Sequence, residues 1–292
     1  MKPIYSDNKR VTTALLLAAG MGSRLFPLTQ NAPKCMTIVN DISILERLVA
    51  NLKMNGFKRL VVVTGHLQKH IRDFLGTQAG DIKIEYVYSP QYKTTNNIYS
   101  LWMARKAINE PFLLLESDLV FDESLLDAMR YPDRIAVAKM QPWMNGTCVT
   151  LNKSNHVKAF LADNENSLGD AKYKTVNIYS FSLASWRRIE KRLDKRISDG
   201  NVNDYYETIF ADMIFDGSLS LYNVSFDGKP WYEIDTLEDL AQAEKLFSSK
   251  STTLKTAMPS NIDFLNMDFI NAEPSQKKTA GKLNAAELQD SI

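Results

Sequence analysis

Cysteine is scarce: the chain's 292 residues include only two, Cys35 and Cys148. They lie far apart, in neither a Cys-x-x-Cys nor a Cys/His ligand spacing, which excludes a disulfide scaffold and leaves plain reduced thiols, as suits a reducing cytoplasm. Histidine is nearly as rare, with His66, His70 and His156 its only instances. His66 and His70 share a helical spacing that could ligate a metal, but no third ligand matches, so a solvated helix face is expected; no Ser-His-Asp or Cys-His arrangement competes. Excess charge of one sign is also missing. The 35 Lys and Arg offset 34 Asp and Glu to a formal net charge of +1, so no global field draws the protein onto nucleic acid or anionic lipid. Any phosphate must be held locally. Nor is there an apolar run near the roughly 20 residues a membrane span needs. The N-terminus is polar, and the first run, Val11 to Ala19, is broken by threonines; neither secretion nor membrane insertion is expected. What the chain does have is 45% hydrophobic residues, enough for a large core in one or two domains.

Short β-rich runs alternate with amphipathic stretches. Thr13 to Leu17, Leu60 to Thr64, Ile82 to Tyr88, Phe112 to Glu116 and Ile135 to Met140 read as strands, mostly apolar throughout and therefore covered on both faces. Ser43-Ile44-Leu45-Glu46 forms a capping box for a helix that Gly56 can close, and Gln68 to Leu75 is a second helix stopped at Gly76. This βαβαβ pattern predicts an α/β fold, a Rossmann-like, mainly parallel sheet with helices on both faces, and such sheets bind ligands beyond the carboxyl ends of their strands. After residue 140 the reading is mixed: strands at Thr147 to Leu151, Val157 to Leu161 and Tyr173 to Ser182, then helices at Leu183 to Ile197 and Tyr205 to Phe215. Residues 141–236 are expected to form a smaller mixed extension on the 11–140 core, closed by a helix over 237–247. The polar 248–292 stretch has linker composition, apart from an apolar patch at Ile262 to Ile270, and is read as a linker or the start of another module.

The most informative segment starts at a strand end: Leu17-Ala18-Ala19-Gly20-Met21-Gly22-Ser23-Arg24-Leu25-Phe26-Pro27-Leu28-Thr29, continuing to Pro33-Lys34. Small residues let a base and ribose lie against backbone, two glycines permit unusual conformations, and exposed N–H groups can cradle phosphates. Arg24 and Lys34 add positive charge. Gly-x-Gly alone is a common tight turn. A dinucleotide fingerprint would need glycine at Leu25, and a Walker A loop would need Gly-Lys-Ser/Thr. With its flanks the segment closely resembles the signature of the nucleotidyltransferases, Leu-x-Ala-Ala-Gly-x-Gly-Ser/Thr-Arg-Leu-x-Pro-Leu-Thr followed by Pro-Lys. The likeness continues through Asn96-Asn97-Ile98-Tyr99-Ser100-Leu101, Glu116-Ser117-Asp118 and Trp231-Tyr232-Glu233-Ile234-Asp235. It covers about residues 11–247.

These later motifs look like the cytidylyltransferase branch that activates phosphocholine or 2-aminoethylphosphonate. The resemblance implies a GT-A-like nucleotidyltransferase fold and in-line attack by an acceptor oxygen on the α-phosphorus of CTP. It implies Arg24 on the leaving pyrophosphate, Lys34 on the α-phosphate and incoming anion, and Mg²⁺ on Asp118 and Asp235. On spacing alone either aspartate could instead cap the next helix. Leu17 to Arg24, Lys34, Glu116 and Ser117 are then nucleotide-binding, with Asn97 and Ser100 able to read a pyrimidine edge or simply to cap their helix. His66, after Gly65, could also reach the nucleotide.

An amine-bearing acceptor needs a carboxylate or aromatic face. Lys34, Asp204, Tyr205, Trp231 and Glu233 are the candidates. The 141–147 segment lacks an aromatic where phosphocholine enzymes place one, unless Trp143 reaches in, and the chain also looks like modules joined to a 2-aminoethylphosphonate transaminase. 2-Aminoethylphosphonate is therefore the favoured acceptor, the product serving headgroup attachment to lipid or glycan. Phosphocholine stays open, as do a homo-oligomer and a non-catalytic nucleotide-binding regulator. A glycosyltransferase would favour Asp-x-Asp where this chain has Glu116-Ser117-Asp118.

Overall fold

The computed structural model describes residues 10–141, 144–161 and 171–248. The first half alternates strand and helix as expected: β1 (Thr13–Ala18), a small ribbon β2 (Ile38–Val39) and β3 (Ile42–Ser43), α1 (Ile44–Met54), β4 (Arg59–Thr64), α2 (Gln68–Leu75), β5 (Gln78–Ala79), β6 (Ile82–Tyr88), α3 (Asn97–Ala104), β7 (Phe112–Glu116) and β8 (Leu119–Phe121). Then follow α4 (Leu126–Met129), β9 (Arg134–Lys139), β10 (Cys148–Leu151), β11 (Val157–Leu161), β12 (Tyr173–Phe181), α5 (Leu183–Ser198), α6 (Glu207–Phe215), β13 (Tyr222–Ser225), β14 (Trp231–Glu233) and α7 (Leu237–Phe247).

One sheet carries both halves. Its order is β11-β10-β12-β7-β1-β4-β6-β5, with β9 on β12 and β13 on β9. β7, β1, β4 and β6 run parallel, and β12 lies antiparallel against β7. The second half thus widens the first sheet rather than forming a layer of its own.

Alternation along β1 feeds two cores. Ala14, Leu16 and Ala18 join Leu45, Leu48 and Leu52 of α1 on one face; Leu15, Leu17 and Ala19 join Ile98 and Leu101 of α3, Trp186 of α5 and Phe210 of α6 on the other. Period-2 side chains on a doubly covered strand require this division. A third cluster of Leu25, Val39, Ile44, Val120, Ile234, Ala243 and Phe247 ties the glycine turn to α7. Local signals set the ends: Ser43 Oγ accepts from the Glu46 amide at 3.1 Å, and Thr236 with Asp239 makes the reciprocal capping box of α7. No helix among the described residues is long and apolar enough to cross a membrane. The expected linker lies, from residue 249 onward, outside the described residues, as does Trp143. Cys35 and Cys148 are both buried thiols.

Candidate active site

Register puts the loops of the candidate site side by side. β1 pairs Leu17 with Glu116 of β7 and Ala18 with Thr64 of β4, so three parallel strands end together and release their loops at one edge, where open α/β sheets take ligands. From β1 comes the glycine turn. Gly22 takes a left-handed conformation with φ 63°, its carbonyl accepting from Thr29 Oγ1 at 2.6 Å. Gly20 has no such conformation, so only one of the two glycines is needed for its backbone angles. From β4 comes Gly65, where a Cβ would sit 2.6 Å from the Ala19 carbonyl and 2.7 Å from Tyr92 Cγ; the His66 amide donates to that same carbonyl. From β7 comes Asp118, whose carbonyl accepts from the Ile234 amide at 2.9 Å. Because β14 pairs antiparallel with β8, Glu233 opposite Leu119, this bond holds Asp235 beside Asp118.

These aspartates meet at one ammonium. Lys34 Nζ donates to Asp118 Oδ2 at 2.8 Å and to Asp235 Oδ1 at 2.6 Å, and Arg24 reaches Asp235 Oδ1 at 2.9 Å from a largely exposed position. Burial alone would lower the Lys34 pKa, but the two carboxylates outweigh it and raise it. Asp118 Oδ1 is buried with no hydrogen-bond partner.

Around this node lies a cavity of about 640 Å³, lined among others by Leu17, Ala19, Gly20, Gly22, Ser23 and Arg24, spacious enough for a nucleotide-sized ligand. Ser100, Glu116 and Ser117 also line it. Asn97 does too, but its amide is committed at both ends: Nδ2 donates to Glu116 Oε1 at 3.1 Å and Oδ1 accepts from the Tyr206 amide at 3.0 Å. It is a strut between α3, β7 and α6. Four expected residues lie outside the cavity wall. Ala18 faces the α1 side of the sheet, and Met21 is exposed. Asp204 is held by Arg196 Nε at 2.8 Å, while Tyr205 lines the cavity. Trp231 packs on the α1-side core, because register sets it opposite Phe121, at the far end of β14 from Glu233.

Sequence reasoning missed Lys174 and Asn177, and of the acidic segment 204–207 it picked Asp204 where Glu207 is the acid that lines the inner wall with them. β12 shifts register against β9 between Thr175 and Tyr179, and Asn177 there has φ 57°; such bulges re-aim side chains beside active sites. Asn177 Nδ2 donates to Glu233 Oε1 at 3.2 Å, and Lys174 Nζ pairs with Glu233 Oε2 at 3.1 Å. Asn177 between Val176 and Ile178 of β12 was the available signal. Burial, reinforced by Asp118, Glu207 and Glu233, raises the Glu116 pKa well above the carboxylate range. Burial likewise pushes Glu207 up to about 7.

The glycine turn, the cations Lys34 and Arg24, and two aspartates, Asp118 after the parallel strand β7 and Asp235 after the ribbon strand β14, meet at one place. Residues 13–156 match the family model described as nucleotidyl transferase. More particularly, the proteins it resembles include several named for CMP or cytidylyl transfer alongside others named bifunctional protein GlmU. It is 30% identical over 245 residues to a CMP-5'-(3-aminopropyl)phosphonate synthase of Streptomyces rubellomurinus, covering 80% of this chain and 38% of that protein; the chain thus spans less than half that relative's length. It is 24% identical over 252 residues to a 2-aminoethylphosphonate cytidylyltransferase of Lancefieldella rimae, covering 82% and 95%. Its fold matches the solved CTP:phosphocholine cytidylyltransferase of Streptococcus pneumoniae with a TM-score of 0.71 at 23% identity, covering 82% and 99%.

Proposed function

We propose that the protein transfers CMP from CTP to a short aminoalkylphosphonate, with 2-aminoethylphosphonate as the acceptor. One observation carries this: Arg24, Lys34, Asp118 and Asp235 converge above the glycine turn at a cavity whose inner wall is acidic, with Glu116, Glu207 and Glu233. A phosphonate oxygen attacks the α-phosphorus, the bond to the β-phosphate oxygen breaks, and pyrophosphate leaves. The nucleophile is already anionic, so catalysis rests on alignment and charge neutralisation. Lys34 faces the α-phosphate and incoming phosphonate, and Arg24, exposed at the rim, faces the leaving pyrophosphate.

Among the described residues no group of three or more His, Cys, Asp or Glu could hold a metal unaided. Two aspartates meeting at one cation, with Asp118 Oδ1 buried and unpartnered, suit a hard octahedral ion that takes its remaining ligands from phosphate and water. Asp118 and Asp235 would hold Mg²⁺, which supplies neutralisation of phosphate charge. The acidic wall favours a cationic acceptor over a sugar phosphate, and the protein is assigned to the cytoplasm, where CTP is available.

The test is pyrophosphate release for each nucleoside triphosphate against 2-aminoethylphosphonate, phosphocholine and sugar 1-phosphates. CTP with 2-aminoethylphosphonate should be fastest. Preference for phosphocholine would move the assignment to the neighbouring activity, and no release with any pair would favour a nucleotide-binding regulator.

A further inference from the structure

The inner wall of the cavity carries three glutamates, and their hydrogen bonds divide them. Glu233 is already satisfied, Oε1 accepting from Asn177 Nδ2 at 3.2 Å and Oε2 from Lys174 Nζ at 3.1 Å. Glu116 accepts from Asn97 Nδ2 at 3.1 Å and stands close enough to Asp118, Glu207 and Glu233 to feel all three charges. Glu207, the first residue of α6, is different. It lines the cavity, is 8% exposed, and its Oε2 is buried with no hydrogen-bond partner.

A buried carboxylate oxygen without a donor is costly unless a ligand supplies one. The single buried cation on this wall among the described residues, Lys174, is spent on Glu233 and on the Thr175 carbonyl at 2.9 Å. On this wall the Glu207 Oε2 is thus left without a donor among the described residues.

We infer that Glu207, and not Glu233, receives the acceptor's ammonium group, with Oε2 accepting one of its N–H bonds. This rests on the transfer reading above and adds to it the residue that selects the acceptor. A primary ammonium brings three N–H donors, whereas a quaternary ammonium brings none and needs aromatic faces around it. The described cavity residues include just two aromatics, Tyr92 and Tyr205, and Tyr92 is packed against Gly65 at the glycine-turn end. Glu207 thus selects primary amines over trimethylammonium.

The experiment compares kcat/KM for 2-aminoethylphosphonate, its N-trimethyl analogue and ethylphosphonate, which has no amine. The wild-type protein should prefer 2-aminoethylphosphonate to each of the others by about 100-fold or more. In Glu207→Gln, which keeps the shape and removes the charge, that ratio should fall to within about tenfold, with the loss in the acceptor's KM and not in the KM for CTP. Glu233→Gln should retain the amine preference even where its overall rate falls. A wild-type protein indifferent to the amine overturns the inference without any variant, and so does a Glu207→Gln protein that keeps the wild-type ratio. Absence of pyrophosphate release from CTP with every acceptor sinks the transfer reading and this assignment with it.

Discussion

Burial alone would push Lys34 towards neutrality, and the two aspartates hold it charged. The ligand-free site is thereby self-neutralised around one ammonium, and removing any member leaves a like-charge or unpaired cluster. Lys34→Met and Asp235→Ala are each expected to lower kcat by about 10²- to 10³-fold while circular dichroism still reports a folded protein; normal turnover by either rejects the assignment. Glu207 yields a prediction in pH. Burial raises its pKa to about 7, with Glu233 adding to the rise and Lys174 opposing it, so ammonium binding requires a carboxylate that protonates as pH falls. The acceptor's KM should climb below about pH 7, and Glu207→Gln should flatten that limb. The folded state binds this proton more tightly than the unfolded chain, so its contribution to stability is present below the unfolded value and lost as pH rises through about 7. Glu207→Gln should therefore melt higher than wild type at pH 8, by roughly 1–3 kcal/mol, and the gain should vanish near pH 4. Among the residues named from the sequence, Arg24, Lys34, Asp118 and Asp235 do meet. Asp204 does not join them, because spacing could not tell which acid of the 204–207 segment would find Arg196 and which would face inward.

Turns and bulges aim these side chains. At Gly65 a methyl group would meet the Ala19 carbonyl and Tyr92 within 2.8 Å, and backbone cannot yield as a flexible side chain can. Gly65→Ala is expected to cost about 1–3 kcal/mol, read from the denaturation midpoint, and to raise the KM for CTP by displacing the nucleotide turn. Asn177 offers the converse case. Glycine there keeps the left-handed backbone but loses the hydrogen bond to Glu233. Asn177→Gly should fold and lose activity, and Asn177→Asp should not restore it, since a carboxylate cannot donate to Glu233; full activity in Asn177→Gly would show the clamp to be dispensable. The parallel strands and α1, α2 and α7 were legible because apolar runs, caps and glycine stops agree. The strand before Asp235 was legible as well, but its three-residue partner β8 and the bulge in β12 were not. Strands that short carry no period, and one asparagine in a strand of mixed polarity does not give a bulge's direction.

On the scale of the molecule, the expected extension after residue 140 proved to be the antiparallel side of the same sheet, which sequence could suggest only as mixed elements, since pairing partners are set by tertiary packing. Ligand binding should stabilise this body as a unit. CTP with Mg²⁺ at about 100 times its dissociation constant should add about 2.7 kcal/mol, a rise of about 5–10 °C in Tm. Chelation by EDTA should shrink that rise if Asp118 and Asp235 hold the ion, and an unchanged shift would argue against metal there. The meeting of Lys34 with an aspartate 84 residues away and another 201 residues away has a kinetic corollary. Asp235 follows β14 of the separate β8–β14 ribbon, so a polypeptide emerging from the ribosome has no competent centre until β14 has docked on β8. Turnover is then a report on completed assembly, and a protease cut between β13 and β14 that releases α7 should silence the enzyme even where the parallel strands survive.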